Sequence, residues 1–317
     1  MAKRKEMGKP AAAIPKKKGL FQEYYKNRYL FILLLPVLIY FLVFHYGSMY
    51  GIIIAFKDYY PAKGIWGSEW AGVAHFRKLF SGMYFGTALK NTLIISFYKL
   101  LFGFPAPVLL AVLLNEVRNR HFKKTVQVIT YLPHFISWVV LAGIVIEFLS
   151  PSRGLVNYII QFFGGEPIHF IGSTSHFRGV IVISSIWRDI GWQSIVFLAA
   201  MSGIDPELYD VADIDGASRV RKIVSITIPS ILPVIVIMFI FSSGSIINDD
   251  FDQIYNLLNA QVKSVGEVIS TYTYEEGIKK LNYSYATAVG LFKNVIALII
   301  VTLTNWVSRR LTDNSLW

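Results

Sequence analysis

The stretch Ile204-Asp205-Pro206-Glu207-Leu208-Tyr209-Asp210-Val211-Ala212-Asp213-Ile214-Asp215-Gly216-Ala217 decides the reading of this chain. It spells a short, acidic, water-loving helix. Asp205 is a good N-cap, Pro206 fits the first helical turn, and Glu207 suits the positive end of the helix dipole. Gly216 permits the left-handed residue that closes a helix. The spacing predicts a helix of about ten residues, roughly 15 Å long, within 205–216. Leu208, Val211 and Ala212 share one stripe, with Glu207, Asp210 and Asp213 beside it. The runs on either side are apolar enough to cross a bilayer. A polar knob between two membrane spans is expected to dock on a partner in the helix-in-groove manner, as a coupling element.

Outward from that knob, composition sets the class. Mean hydropathy is +0.48, and 54% of residues are hydrophobic against 16% charged, far from the usual soluble balance. The apolar residues gather in long runs, and a helical span needs about 20 of them. Six candidates emerge: Tyr29–Ala55, Leu89–Leu114, Val126–Leu149, Gly179–Met201, Ile226–Ser245 and Tyr285–Trp306. The expected fold is an all-α polytopic membrane protein, with a basic arm over 1–28, a membrane domain over 29–308 and a tail over 309–317. Lys and Arg crowd the arm, the link after the second span (Arg118, Arg120, Lys123, Lys124) and the tail (Arg309, Arg310). By the positive-inside rule both termini and the 205–216 helix face the cytoplasm. The first apolar run lacks a small-residue cleavage site and is expected to stay as a signal anchor.

Several classes are excluded or disfavoured. The net charge of +11 serves topology and anionic lipid rather than nucleic acid, since no zinc-finger spacing or aromatic-interleaved basic stripe accompanies it. Cysteine is absent, which removes disulfides, thiol catalysis and thiolate metal sites. No phosphate-cradling Gly-x-x-x-x-Gly-Lys loop, no His-Glu-x-x-His and no Gly-x-Ser-x-Gly turn occurs. The six histidines show no ligand pairing and read as interface or core residues. No metal site and no catalytic residue are expected.

Asp210-Val211-Ala212, Gly216 and Ile226-Thr227-Ile228-Pro229 fall in the register of a cytoplasmic motif, Glu-Ala-Ala, three residues, Gly, nine residues, Ile-x-Leu-Pro. The chain thereby resembles permeases of binding-protein-dependent ABC importers. Trp70-Ala71-Gly72-Val73-Ala74-His75-Phe76, Asn115-Glu116-Val117-Arg118 and Tyr131-Leu132-Pro133-His134-Phe135-Ile136-Ser137-Trp138-Val139 extend the likeness, toward the branch that imports complex oligosaccharides. The resemblance implies a type I importer permease fold in the bacterial cytoplasmic membrane, forming half of a pore. It implies as partners a second homologous permease subunit, two cytoplasmic ATPases and an external solute-binding protein. ATP and Mg would sit on the ATPases, and no cofactor on this chain. It also implies that Asp210 meets an ATPase arginine, and that Glu207, Leu208, Tyr209, Ala212, Asp215, Gly216 and Ala217 sit in or beside the ATPase cleft.

A second cluster, Trp187-Arg188-Asp189-Ile190-Gly191-Trp192, lies inside the fourth span, where ionisable groups mark function by default. Arg188 and Asp189, about 100° apart on a helix, each need a partner or a wet cavity. Lys99 and Lys293 are expected at similar depth. Two readings stay open: a polar pathway, with Asp189 on a sugar hydroxyl or a lysine and Trp187 and Trp192 stacked on sugar faces, or a lock between spans. Three cations at one level suit an acidic, uronate-bearing sugar. Asn248, Asp249, Asp250 and Asp252 form either a contact for the binding protein, a gate, or a solvated loop. Pro229 and Pro233 are either bending points or helix-start residues. An ion-coupled secondary transporter would show inverted repeats and broken half-helices, and an intramembrane enzyme would need paired carboxylates or a metal constellation inside the spans; neither signature is evident in the sequence.

Overall fold

The computed structural model describes residues 27–247 and 250–312. Most of the basic arm, Asn248 and Asp249, and the end of the tail lie outside the described residues. The chain divides into two compact units, Met1–Ile52 and Ile53–Trp317.

The first unit carries α1 (Arg28–Tyr40), continued by a π-helical stretch at Phe41–Tyr46. From Leu30 to Tyr50 its large apolar side chains are exposed. That is the pattern of a helix whose solvent is lipid.

In the second unit a two-stranded antiparallel ribbon pairs β1 (Lys57–Asp58) with β2 (Glu69–Trp70). Lys57 Nζ pins the intervening turn by donating to the carbonyls of Ile65 and Ser68. After α2 (Ala74–Ser81) come α3 (Met83–Tyr98) and α4 (Pro105–Glu116), joined by a π turn at Lys99–Gly103. Pro105 has no N–H to give to residue 101, and the wider turn absorbs the lost bond. The same device recurs at Ile223–Thr227, just ahead of α10 (Ile228–Gly244); of the two prolines, Pro229 takes a helix-start position in the first turn and Pro233 lies inside the helix.

Among the described residues, five helical segments are long and apolar enough to span a membrane: Arg28–Phe56, Met83–Glu116, Phe177–Ser202, Arg219–Gly244 and Tyr283–Arg310. The expected third span, Val126–Leu149, is not one helix. It divides into α5 (Arg120–Tyr131) and α6 (Trp138–Phe148) around a 3-10 turn at Leu132–Phe135, and the two parts meet at 110°. Pro133 cannot continue the hydrogen-bond ladder, and the extended backbones of Ile136 and Ser137 turn the chain. α5 carries Arg120, His121, Lys123 and Lys124 on an amphipathic helix, so the sequence window had fused a polar helix with an apolar one.

α7 (Leu155–Phe162) follows. α8 (Phe177–Ser202) is the central span. It packs on α4 through Ala111, Val112, Phe197 and Met201, small residues alternating with large ones as lipid-embedded helices require. The long link after α10 is folded into the bundle rather than solvated. Its α11 (Phe251–Leu257) and α12 (Ile269–Tyr274) bury Ile254, Leu257, Val268 and Ile269. α13 (Tyr283–Thr312) closes the unit.

Candidate coupling and translocation site

The helix read from Ile204–Ala217 forms as α9 (Pro206–Ile214). Asp205 Oδ1 accepts the amide N–H of Glu207 at 3.0 Å. At the other end Gly216 has φ +69°; its N–H donates to the carbonyl of Asp213, and Ala217 N–H donates to the carbonyl of Ala212. These paired bonds are a Schellman closure, which only a residue at ease in the left-handed region completes without strain. Leu208, Val211 and Ile214 are exposed, Ile214 by 87%, as are Glu207, Asp210, Asp213 and Asp215. Ile214 joins the protruding apolar stripe that the sequence drew through Leu208 and Val211.

Two contacts fix α9 to the base of the fifth span. The Tyr209 hydroxyl is 2.9 Å from Thr227 Oγ1, and Lys222 Nζ donates to Asp213 Oδ1 at 2.6 Å. Tyr209 is half-buried and points back toward its own chain, whereas a place in a partner's cleft was expected; its phenol finds a polar mate where the apolar helix surface would leave it none. The helix is therefore a projecting lever with a stiff root.

The second cluster is divided by the structure. Asp189 is held by His134, Nδ1 to Oδ1 at 2.9 Å, rather than by a lysine. Arg188 is 3.9 Å from the same oxygen and lies over the ring of Trp138, 4.9 Å from its centroid. Arg188 Nε and Trp138 Nε1 are buried without hydrogen-bond partners among the described residues. Trp192 stacks on His134 at 4.7 Å with rings 3° from parallel, and meets Phe135 edge-on. Gly191 brings α8 against the end of α5, where the elbow begins: a Cβ there would lie 2.2 Å from the carbonyl oxygen of Thr130. These residues lock the fourth span to the 132–138 elbow. Trp187 faces away, into an apolar recess with Val145, Phe148 and Ile183.

Asp189 nonetheless has a second surroundings. It lines a polar cavity of about 260 Å³ with Ser96, Lys99, Ser185, Gln193, Ser242, Ser245 and Asp250. Lys99 Nζ donates to Asp250 Oδ2 at 3.1 Å and to Gln253 Oε1 at 2.6 Å. Gln253, fully buried, donates from Nε2 to the Ile181 carbonyl and to Ser184 Oγ. The π turn at Lys99 and the infolded α11 thus deliver a cation and a carboxylate to one wall. Asp250 is engaged here, not free in an acidic loop; Asp252 is exposed on the first turn of α11. Lys293 lies in a different recess, with Phe251, Tyr274 and Asn294. The three cations do not ring one cavity.

Sequence reasoning missed His134, Trp138 and Gln253. His134 was legible only as part of Tyr131–Val139, because nothing local says that an elbow carries it to Asp189. Gln253 looked like a loop residue. Asn91 ties elements together: its amide donates to the Ser264 and Glu267 carbonyls, and its Oδ1 accepts from Arg178.

A family model described as binding-protein-dependent transport system inner membrane component matches residues 103–313. The chain is 44% identical over 302 residues to the polygalacturonan/rhamnogalacturonan transport system permease protein YteP of Bacillus subtilis (strain 168), across 95% of this chain and 94% of that protein. It is 41% identical to protein LplB of the same organism, across 92% of each. One chain of a crystal structure of a bacterial alginate ABC transporter, in complex with an alginate pentasaccharide-bound periplasmic protein, superposes with a TM-score of 0.86 at 41% identity, covering 94% of this chain and all of that one. These likenesses set aside the ion-coupled transporter and the intramembrane enzyme. The chain belongs to the binding-protein-dependent transport system inner membrane component family, and is a multi-pass ABC importer permease subunit rather than an enzyme.

Proposed function

We propose that this chain forms half of the pore of an ATP-driven importer that takes up an oligosaccharide bearing uronate groups. An external solute-binding protein delivers the sugar, a second homologous permease completes the pore, and two cytoplasmic ATPases hold ATP and Mg. Both termini face the cytoplasm of a bacterial cell. The observation that carries this reading is the capped, exposed α9, whose Leu208, Val211 and Ile214 project from a rooted helix. Burying such a side chain is worth about 1.5–3 kcal/mol, enough for a groove to grip the lever. Asp210, beside the stripe, meets a cation of the ATPase; Glu207, Asp215, Gly216 and Ala217 shape the ends that seat. The substrate class is supported by relatives whose names carry polygalacturonan and alginate.

ATP draws the ATPases together, and each pulls the helix lodged in it. Thr227 and Lys222 pass the pull to the fifth span through Tyr209 and Asp213. The fourth span, continuous into α9 through Gly203–Asp205, moves as a unit with the elbow locked at Gly191. The cavity between Lys99, Asp189 and Asp250 then opens to one side or the other. ATP shifts the equilibrium only by binding the closed arrangement more tightly than the open one.

The test is uptake of a radiolabelled galacturonate oligomer into proteoliposomes holding all the subunits. Import that needs enclosed ATP and survives collapse of the proton gradient is expected. Import driven by the gradient without ATP would overturn the reading.

A further inference from the structure

On the side of the molecule opposite α9, three aromatic rings from α11 and α12 form one group. Phe251 and Tyr255 stack at 5.1 Å between centroids, and Tyr274 meets them at 5.2 and 5.3 Å. Lys279 Nζ lies 5.5 Å from the Tyr255 ring and 5.7 Å from that of Tyr274. The lysine is exposed and forms no ion pair with a described residue. Its neighbours Lys263 and Lys280 are both occupied, by Glu267 and Glu275 and by Glu276 respectively. Lys279 thus lacks a close carboxylate partner among the described residues: its near contacts are ring faces, and the Glu275 carboxylate feels its charge only at longer range. Beside the group opens a recess of about 610 Å³, bordered by Phe251, Tyr274, Tyr283, Lys293 and Asn294. Phe251 faces this recess while Asp250, one residue earlier, faces the polar cavity with Lys99.

Such an arrangement is costly to leave bare. Tyr255 is 40% exposed, in a helix whose Ile254 and Leu257 are buried. Aromatic faces offer flat, apolar area with hydroxyls at the rim, which suits the C–H face of a pyranose ring. A lysine held beside π-faces still has N–H donors left over for an anion. An apolar plane edged by an ammonium selects a sugar that is apolar on its face and anionic at its rim.

We propose that Phe251, Tyr255 and Tyr274 with Lys279 form a subsite for one uronate residue of the transported chain, on the entry side of the Lys99–Asp250 cavity. The ring stacks on the aromatic group, and Lys279 donates to the carboxylate. Asn294 and Lys293 line the way inward. This subsite rests on the importer reading given above.

The experiment measures uptake by proteoliposomes of the complete complex, with a galacturonate trimer and a neutral galactose trimer of the same linkage. The preference for the acid, as the ratio of the two kcat/KM values, is expected to fall about tenfold in Lys279→Gln, or about 1.4 kcal/mol, and to return in Lys279→Arg. Tyr274→Ala should lower kcat/KM for both sugars. Recovery of the assembled complex on an affinity tag of the ATPase separates a lost subsite from a lost fold. An unchanged preference in Lys279→Gln, with wild type importing both sugars, refutes the subsite alone. Wild type importing neither sugar refutes the importer reading beneath it.

Discussion

A methyl group at Gly191 would strike backbone first. Its Cβ would stand 2.2 Å from the Thr130 carbonyl oxygen, 2.4 Å from the carbonyl carbon and 2.8 Å from Tyr131 Cδ1. Ordinary contact begins at 3.4 Å, so α8 and the end of α5 must separate by about 1.2 Å in Gly191→Ala. No rotamer change relieves a clash with a carbonyl. Overpacking of this kind costs about 1–3 kcal/mol. If the elbow backs away far enough to part His134 from Asp189, loss of that charged hydrogen bond adds about 1.5–3 kcal/mol. The assay is thermal unfolding of the detergent-purified protein followed by tryptophan emission, to which Trp138 and Trp192 report from within the joint. Gly143→Ala is the control, since a Cβ there meets nothing within 4 Å; helix propensity should make it neutral or stabilising by up to about 1 kcal/mol. Gly191→Ala melting with wild type would refute the lock between the fourth span and the elbow.

Further outcomes are expected from single changes elsewhere. Gly216→Val should cost about 1–2 kcal/mol locally through the left-handed backbone, seen as faster hydrogen exchange at Ala217, whose N–H donates to the Ala212 carbonyl, than in wild type. Lys99→Met leaves the buried Gln253 Oε1 without its donor, at a cost of about 1–3 kcal/mol; Lys99→Met,Gln253→Leu should regain part of the lost melting temperature, and failure to do so would deny the network. In the 263–275 region the bond from Lys263 holds the Glu275 carboxyl below its ordinary 4.5, so its stabilisation is present above that value and disappears as pH falls through the folded pKa. The same carboxylate bond raises Lys263, whose share is present below its ordinary 10.5 and disappears as pH rises through the folded value. Burial raises Glu267, which opposes Glu275 on the acid side. Lys263→Gln should therefore flatten the melting-temperature profile at its alkaline end, and an unchanged alkaline slope would deny the pairing.

The spans and the capped helix were legible because each is written locally. Asp205, Pro206 and Gly216 name the ends of α9, and long apolar runs need no tertiary context. The third span failed because its window averaged the amphipathic Arg120–Tyr131 with the apolar Trp138–Phe148 across Pro133. The cluster at 187–192 was found with two readings left open. Its chemistry depends on what the elbow brings: His134 to Asp189, Trp138 under Arg188, and the Thr130 backbone against Gly191. The infolding of 250–274 was invisible for a similar reason. Gln253 and Asn91 are polar, yet both are buried with nearly every hydrogen-bonding group met by a distant backbone carbonyl or side chain. A polar residue satisfied by remote partners reads, in one dimension, as a residue facing water.

The transfer of force through α9 is most directly tested by placing a thiol on it. The chain has no cysteine, so Asp210→Cys carries a single reactive group. It is combined with an ATPase bearing one cysteine in the expected receiving cleft. Oxidation of the reconstituted complex should give one crosslinked species at the summed mass of the two subunits, and ATP-driven sugar uptake should stop when the link forms and resume on reduction. Trp66→Cys, on an exposed residue at the opposite end, should give none. No crosslink from position 210, or uptake that continues with the link in place, would contradict the coupling role.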